Sequence, residues 1–336
     1  MRLLKFMLVL AVGAVLGLAW FLFLDFRLPY GPAHETFVEI PAGMSRLEIA
    51  RQLQRQGIVR SALAFDALVF WNSLHGHRAA SLENGEYRFA HPAGMEEVYD
   101  RIRRGDVYTV TLVIPEGFNI FDIANAVAAA GLGSRTDFLH AEQTDTQLIA
   151  QWVPPGQANS LEGYLFPDTY KFSRHAGALR ILQTMVRQFG SEARRLGMTP
   201  AETPRVVILA SLVEKEVHLD AERPEVAGVF ANRLAAGMPL QTDPSVIYAS
   251  LLRGAWTGVI HQSELKSDSA YNTYTHTDLP PGPICNPGVA SLRAALHPAR
   301  TDYLYFVADA KGATRFAATL AQHNANVAAY RSSSQR

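Results

Sequence analysis

"TPRVVILASLVEKEV", residues 203–217, is the stretch on which the rest of the chain turns. Thr203 is a natural N-cap and Pro204 a natural first helical residue, so a helix is expected from there. The apolar run that follows ends in two carboxylates, Glu214 and Glu216, on either side of Lys215. On a helix Leu209, Leu212, Val213 and Glu216 share one face, and Glu214 aligns with Val207, Ala210 and Ser211. Glu216 therefore continues an apolar stripe. A carboxyl held against apolar neighbours has its pKa raised by desolvation. A helix end near His218 would push the same way through the negative end of its dipole. A carboxylic acid still protonated near neutral pH is what general-acid chemistry at a glycosidic bond needs. The competing reading is a solvated helix end, with Lys215 screening both glutamates.

Outward from this helix, "NSLEGYLFPDTYKF" (159–172) is dense in aromatics, and "RILQTMVRQFG" (180–190) and "PEVAGVFANRLAAG" (224–237) read as helices. "MPLQTDPSVIYAS" (238–250) is rich in turn residues, and "SAYNTYTHTDLPPGPICNPG" (269–288) carries too much Pro, Gly, Asn and Thr for a helix. "SLRAALHPA" is a short helix and "DYLYFVAD" a strand, and the chain closes with a further strand or turn and a helix. Helices and strands do not alternate regularly, which predicts an α+β domain and not a doubly wound sheet.

The 336 residues allow two domains, and the balance of 31 basic and 31 acidic residues gives no field suited to nucleic acid. The single cysteine, Cys285, excludes an internal disulfide and a multi-cysteine metal site. His261, His276, His297 and His323 lack ligand spacing, so no metal or cofactor is expected. "GLGSRT" at Gly131 follows a helix-like run, so its glycines read as a helix stop and not as a dinucleotide loop.

Near the N-terminus, Arg2 and Lys5 precede an uninterrupted apolar run, Phe6–Leu24. At about 1.5 Å per residue this nearly spans a hydrocarbon core of about 30 Å. It is longer than a signal-peptide core and no A-x-A-like site follows it, so an uncleaved anchor is expected, with the chain beyond Asp25 outside the cytoplasm.

A repeat follows. Ile40, Pro41, Gly43, Ile49, Ala50 and Gly57 recur as Ile114, Pro115, Gly117, Ile123, Ala124 and Gly131, at a constant offset of 74. Each copy reads as strand, Pro-x-Gly turn and amphipathic helix. Ser45 with Glu48, and Asn119 with Asp122, stand at capping-box spacing, and Gly57 and Gly131 stop the helices. "YRFAHPAGMEEVYDRIRRGD" (87–106) is a partial third copy. Such small units suit LysM-like glycan-binding modules, or equally a packed spacer.

"ILASLVEKEV" (208–217), "ERPEVAGVFANRLAAGMPLQTDPSVIYA" (222–249) and "AYNTYTHTDLPPGPICNPG" (270–288) resemble the YceG-like family, as do "EGYLFPDTY" (162–170) and "YLYFVAD" (303–309). The resemblance runs from the anchor to the last helix. Its one visible departure is "NPG" at 286–288. It implies a membrane-anchored endolytic murein transglycosylase, which cleaves the β-1,4 bond between N-acetylmuramic acid and N-acetylglucosamine within peptidoglycan and leaves 1,6-anhydromuramoyl ends. It further implies a role in terminating nascent strands beside peptidoglycan synthases (penicillin-binding proteins). The expected organisation is a cytoplasmic stub and transmembrane anchor over 1–28, a LysM-like region over 36–110 and a YceG-like catalytic domain over 111–336. The body would lie in the periplasm, held to the inner membrane.

The family's catalytic glutamate lies in the E-K-E motif. Motif and stripe together place it at Glu216, with Glu214 as the alternative. Hydrolysis of a glycoside ordinarily takes two carboxyls. In a lytic transglycosylase the muramic acid C6 hydroxyl attacks intramolecularly, so one glutamate can serve as acid and then base. Asn232, Gln241, Asp243, Tyr248, Tyr271, Asn272, Thr273 and Tyr274 are the candidate substrate-binding residues, each with a turn-forming or structural role as its alternative. Two other functions stay open: a hydrolase using Asp220, Asp243 or Glu162 as a second carboxylate, and a non-catalytic peptidoglycan-binding scaffold.

Overall fold

The computed structural model describes residues 28–74, 81–217, 219–308 and 313–334, with Met7, Val12, Gly13, Leu16, Gly17 and Trp20 from the preceding segment. Most of the expected anchor, Phe6–Leu24, lies outside the described residues, as does His218. Among the described residues no helix is long and apolar enough to cross a membrane. The chain separates into two compact units, Met1–Val110 and Thr111–Arg336.

The first unit is built on an antiparallel pair, β1 (Thr36–Ile40) and β2 (Gly85–Phe89), with Val38 opposite Tyr87. Between the strands run α1 (Arg46–Arg55) and α2 (Ala62–Leu74), and α3 (Met95–Arg103) follows β2. Val38, Ile40, Leu53, Phe65, Tyr87, Phe89 and Ile102 bury one core between them. The sequence did not single out α2, whose apolar residues run nearly all round it. Leu63, Phe70, Trp71 and Leu74 on that helix are exposed.

In the second unit, β3 (Val110–Val113) pairs with β4 (Thr169–Phe172), and α4 (Ile120–Ala129), α5 (Arg135–Thr144) and α6 (Gly177–Arg195) surround them in sequence. Then come α7 (Thr203–Glu216), α8 (Arg223–Ala235), α9 (Asp243–Leu252), α10 (Gln262–Leu265) and α11 (Val289–Leu296). The chain ends with an antiparallel pair, β5 (Tyr305–Ala308) and β6 (Thr314–Ala317), and α12 (Leu320–Ser334). Helices with small two-stranded sheets make this an α+β architecture.

Both full copies of the repeat form as the caps predict. Ser45 with Glu48 and Asn119 with Asp122 each close a reciprocal capping box. Gly57 and Gly131 both stand at φ 69°, the left-handed conformation that ends a helix and that a side chain disfavours. The copies fall in different units. The second supplies β3 and α4, so its turn, Glu116–Asn119, belongs to the larger unit.

The central helix differs from its expected form in two ways. It starts at Thr203, one residue early, because the Thr203 hydroxyl bonds back to the Thr199 carbonyl (2.7 Å) instead of capping forward. It is also buried on nearly every side: Val206, Val207, Leu209, Ala210, Ser211, Leu212 and Val213 are all covered, by α8, α9 and α11 among others. A single apolar stripe therefore does not separate Glu216 from Glu214. The turn-rich reading of 238–250 also gives way, since α9 begins at Asp243 and its proline stands in the first turn, where it costs no backbone hydrogen bond.

Candidate active site

Residues two apart on a helix lie about 200° apart around its axis, so the two glutamates at the end of α7 enter different surroundings. Glu214 Oε2 pairs with Arg223 Nη1 at 2.9 Å, with both side chains almost wholly buried. It also accepts the Gly288 N–H at 3.0 Å, at the N-cap of α11. Arg223 is held further by Asp220 at 3.0 Å and donates to the Ser291 hydroxyl. Lys215 takes no part in that pairing: its Nζ reaches the Gly117 carbonyl at 3.4 Å. Glu214 is fixed by a cation and a helix N-terminus.

Glu216 faces a cleft of about 320 Å³ lined by Arg233, Leu240, Gln241, Asp243, Tyr274, Phe306 and His323. Burial first, and then the negative charge of Asp243, push its pKa from 4.5 up to about 7, while Arg233 draws it down. Asp243, in the first turn of α9, accepts a 2.6 Å hydrogen bond from the Tyr274 hydroxyl. That phenol's own pKa is raised, by burial and by this bond. Gln241 stands at φ 57°, the one positive-φ residue other than glycine among those described. Strain of this kind is of order 1–3 kcal/mol and persists only where the surroundings over-determine it. Here the Gln241 N–H is held by the Thr273 carbonyl at 2.9 Å.

Four of the sequence candidates thus meet in one cleft: Glu216, Gln241, Asp243 and Tyr274. The others lie elsewhere. Asn232 donates to the Thr301 and Tyr303 carbonyls (2.7 and 2.9 Å), tying α8 to the approach to β5. Thr273 is buried against Thr242 and Ser245, with its Oγ1 accepting the Thr242 N–H at 2.9 Å, and so supports the cleft wall from behind. Asn272 is fully buried and donates to the Glu264, Leu265 and Ser267 carbonyls, as a loop clamp does. Arg233 and His323 line the cleft although the sequence reading did not select them. An arginine inside the apolar helix "VAGVFANRLAAG" was the available signal for the first. His323 was visible only as one scattered histidine.

Tyr248 and Tyr271 belong to a second cluster, packed 5.2 Å apart, around Glu162. This carboxyl accepts from the Ile120 N–H at the start of α4 (2.9 Å) and from Asn286 Nδ2 (2.7 Å), and bonds to Tyr248. Burial dominates and lifts its pKa to about 8. Asn286 is fully buried and also binds the Phe118 carbonyl and the Leu165 N–H. Tyr271 and Glu162 border a separate cavity of about 190 Å³, whose lining shares no residue with the Glu216 cleft. Of the second carboxylates considered, Glu162 is committed to this cluster and Asp220 to Arg223, and Asp243 shares the cleft with Glu216.

With this geometry, the comparisons with known proteins are consistent over most of the chain. The YceG-like family model matches residues 38–329. The chain belongs to the YceG-like family. A Bacillus subtilis (strain 168) relative, named endolytic murein transglycosylase, is 33% identical over 304 residues, covering 85% of this chain and 82% of the relative. A relative of the same name from Streptococcus pneumoniae (strain D39) is 28% identical, and the match spans 97% of this chain but 64% of that protein. Among solved structures, a yceG-like protein from Listeria monocytogenes superposes with a TM-score of 0.55 at 32% identity, covering 88% of this chain and 99% of that one.

Proposed function

We propose that this YceG-like protein is an endolytic murein transglycosylase, a lyase acting on peptidoglycan, with Glu216 as its single acid–base residue. The observation that carries the reading is one partly buried carboxyl, raised to about 7, at the wall of an open polar cleft. Protonated, Glu216 donates to the glycosidic oxygen between muramic acid and N-acetylglucosamine. Ionised by that step, it accepts the C6 hydroxyl proton as that oxygen closes on the anomeric carbon, giving the 1,6-anhydro end. A pKa near the working pH suits both half-steps. Asp243, whose carboxylate is oriented by Tyr274, supplies negative charge beside the oxocarbenium-like centre, and Gln241 offers its amide to the sugar.

A second reading rests on Asp243 as well. Because it shares the cleft with Glu216, it is the candidate base for a hydrolase that activates water. Mass spectrometry of digested peptidoglycan decides between the two. The transglycosylase gives anhydromuropeptides, and the hydrolase gives products heavier by one water, with reducing muramic acid ends. An inert purified protein that still binds sacculi would leave the scaffold reading.

The wider assignment follows from the sequence. The Phe6–Leu24 run with its basic flank supports an inner-membrane anchor and a periplasmic body. The strand–helix–helix–strand order of the first unit, with Phe70 and Trp71 exposed on α2, supports a LysM-like region that stacks on glycan. An endolytic cut close to the membrane suits a terminator of nascent strands working beside penicillin-binding synthases.

A further inference from the structure

Arg233 ties together several parts of the Glu216 cleft. It is buried on α8, and its Nε donates to the Leu304 carbonyl at the entry to β5 (2.7 Å). Its Nη1 donates to the Pro239 and Leu240 carbonyls (3.1 and 2.9 Å) and reaches Gln241 Oε1 at 3.4 Å. The guanidinium carbon sits 5.2 Å from the centroid of the Tyr305 ring, and Tyr305 stacks on His323 of α12 at 5.3 Å. One side chain therefore fixes the turn that carries strained Gln241, the start of β5, and through Tyr305 the helix bearing His323. A helix cap or a small polar residue could satisfy one of these carbonyls. Three carbonyls from two separate segments call for the fork of donors that only arginine has.

The cation also faces the acid. The charged and titratable groups lining the cleft with Glu216 are Asp243 from α9, Arg233 from α8, Tyr274 from the 269–288 loop and His323 from α12. Tyr274 stays neutral at working pH, and His323 is held toward its neutral form by burial and by Arg233 itself. Asp243 and Arg233 are thus the opposed charges acting on Glu216. Asp243 adds to the upward push of burial on the Glu216 carboxyl, and Arg233 opposes both.

We propose that Arg233 is the positioning residue of this site: its guanidinium holds Gln241 in its left-handed conformation and balances Asp243 against the acid Glu216. The proposal rests on the assignment of Glu216 as acid–base residue. Glu216→Gln therefore accompanies the test: if that variant keeps anhydromuropeptide release, the assignment fails and not the balance.

The test measures kcat and kcat/KM for anhydromuropeptide release against pH in the full chain, for the parent, R233Q and R233K. Without the cation Glu216 keeps its proton to higher pH, so the basic limb of the R233Q profile moves up. R233K restores the charge but not the fork; its basic limb stays at the parent's position while kcat falls by roughly 10²-fold, the scale of a misplacement of about 1 Å. Combining Q241G, which adopts φ near +57° without support, with R233K should cost less than the product of the two single losses. An R233Q limb that stays in place or moves down overturns the electrostatic part. R233K with parental kcat, or strictly multiplicative losses with Q241G, overturns the positioning part, and these two variants decide it even where R233Q does not fold.

Discussion

The two glutamates at the end of α7 can be told apart by opposite effects on rate and stability. Glu216→Gln keeps shape and polarity but can neither donate nor recover a proton. General acid–base catalysis contributes about 10²- to 10⁴-fold, and with no second carboxyl sharing the step the loss should reach or exceed the upper figure. Its effect on stability runs the other way. Below pH 4.5 the carboxyl is protonated folded and unfolded. Between 4.5 and about 7 only the unfolded chain ionises, so stability from this group falls as pH rises, by about 1.4 kcal/mol per unit. It levels off above the folded value at a loss on the order of 3 kcal/mol. Glutamine does not titrate, so Glu216→Gln should melt higher than the parent at neutral pH and lose that advantage towards pH 4.5. Glu214→Gln should behave in reverse. It breaks a buried ion pair at 2.9 Å, a loss of about 3–5 kcal/mol. Asp220 still holds Arg223 and the amide still accepts from Gly288, so the lower end applies. At about 2–4 °C per kcal/mol this is roughly a 6–12 °C drop in Tm, with much of the turnover retained in the folded fraction. Kinetics of anhydromuropeptide release beside thermal melts at pH 5 and pH 7.5 read all four quantities. A fully active Glu216→Gln beside a dead but folded Glu214→Gln would reverse the assignment, and activity in both would end the single-carboxyl mechanism.

Asn286→Ala should lower stability by about 1–3 kcal/mol, the range for a buried polar group left unpaired, because the Leu165 N–H loses its acceptor and the buried Glu162 carboxyl loses a donor; a parental denaturation midpoint would refute its role as a clamp. Deleting residues 36–105 should weaken sacculus binding while leaving some cleavage of short strands, measured by pull-down and product analysis, and unchanged binding would make the first unit a spacer. A periplasm-active reporter fused to the C-terminus should give signal, with the protein fractionating with inner membrane; a soluble, N-terminally trimmed form would contradict the anchor.

Local chemistry was the legible part of this sequence. Capping boxes at Ser45 and Asn119 and stop glycines at Gly57 and Gly131 act over four residues or fewer, so sequence spacing reports them directly. The start of α9 was missed because Asp243-Pro244 signals a turn and a helix N-terminus equally well. The stripe argument singled out Glu216 on incomplete grounds: it assumed one buried face, and tertiary packing buries nearly all of α7. The distinction between Glu214 and Glu216 lies in partners from distant segments, Arg223 and Gly288 for one and Asp243 for the other, which periodicity does not report. Tyr248, Tyr271, Asn272 and Thr273 were grouped by motif proximity with Tyr274. The chain turns between them, with the Thr275 and His276 N–H groups bonded back to the Asn272 carbonyl, so Tyr274 reaches the Glu216 cleft and Tyr271 the Glu162 cluster.

The pairing at the end of α7 answers why two carboxylates follow so apolar a run. A lone acid at the end of a buried helix would be poorly placed, because the final turn lacks the full set of intrahelical bonds and frays. Glu214 prevents this from the far side of the axis. Its ion pair ties α7 to α8 through Arg223, and its bond to Gly288 ties α7 to the N-terminus of α11, where the helix dipole favours negative charge. Those two helices are among the elements that cover α7, so the last turn is held between them with little freedom to rotate. Glu216 then needs no partner of its own to stay in place, and a carboxyl without a cation at bonding distance keeps its proton near neutral pH. The acid is available because its neighbour two residues earlier is not.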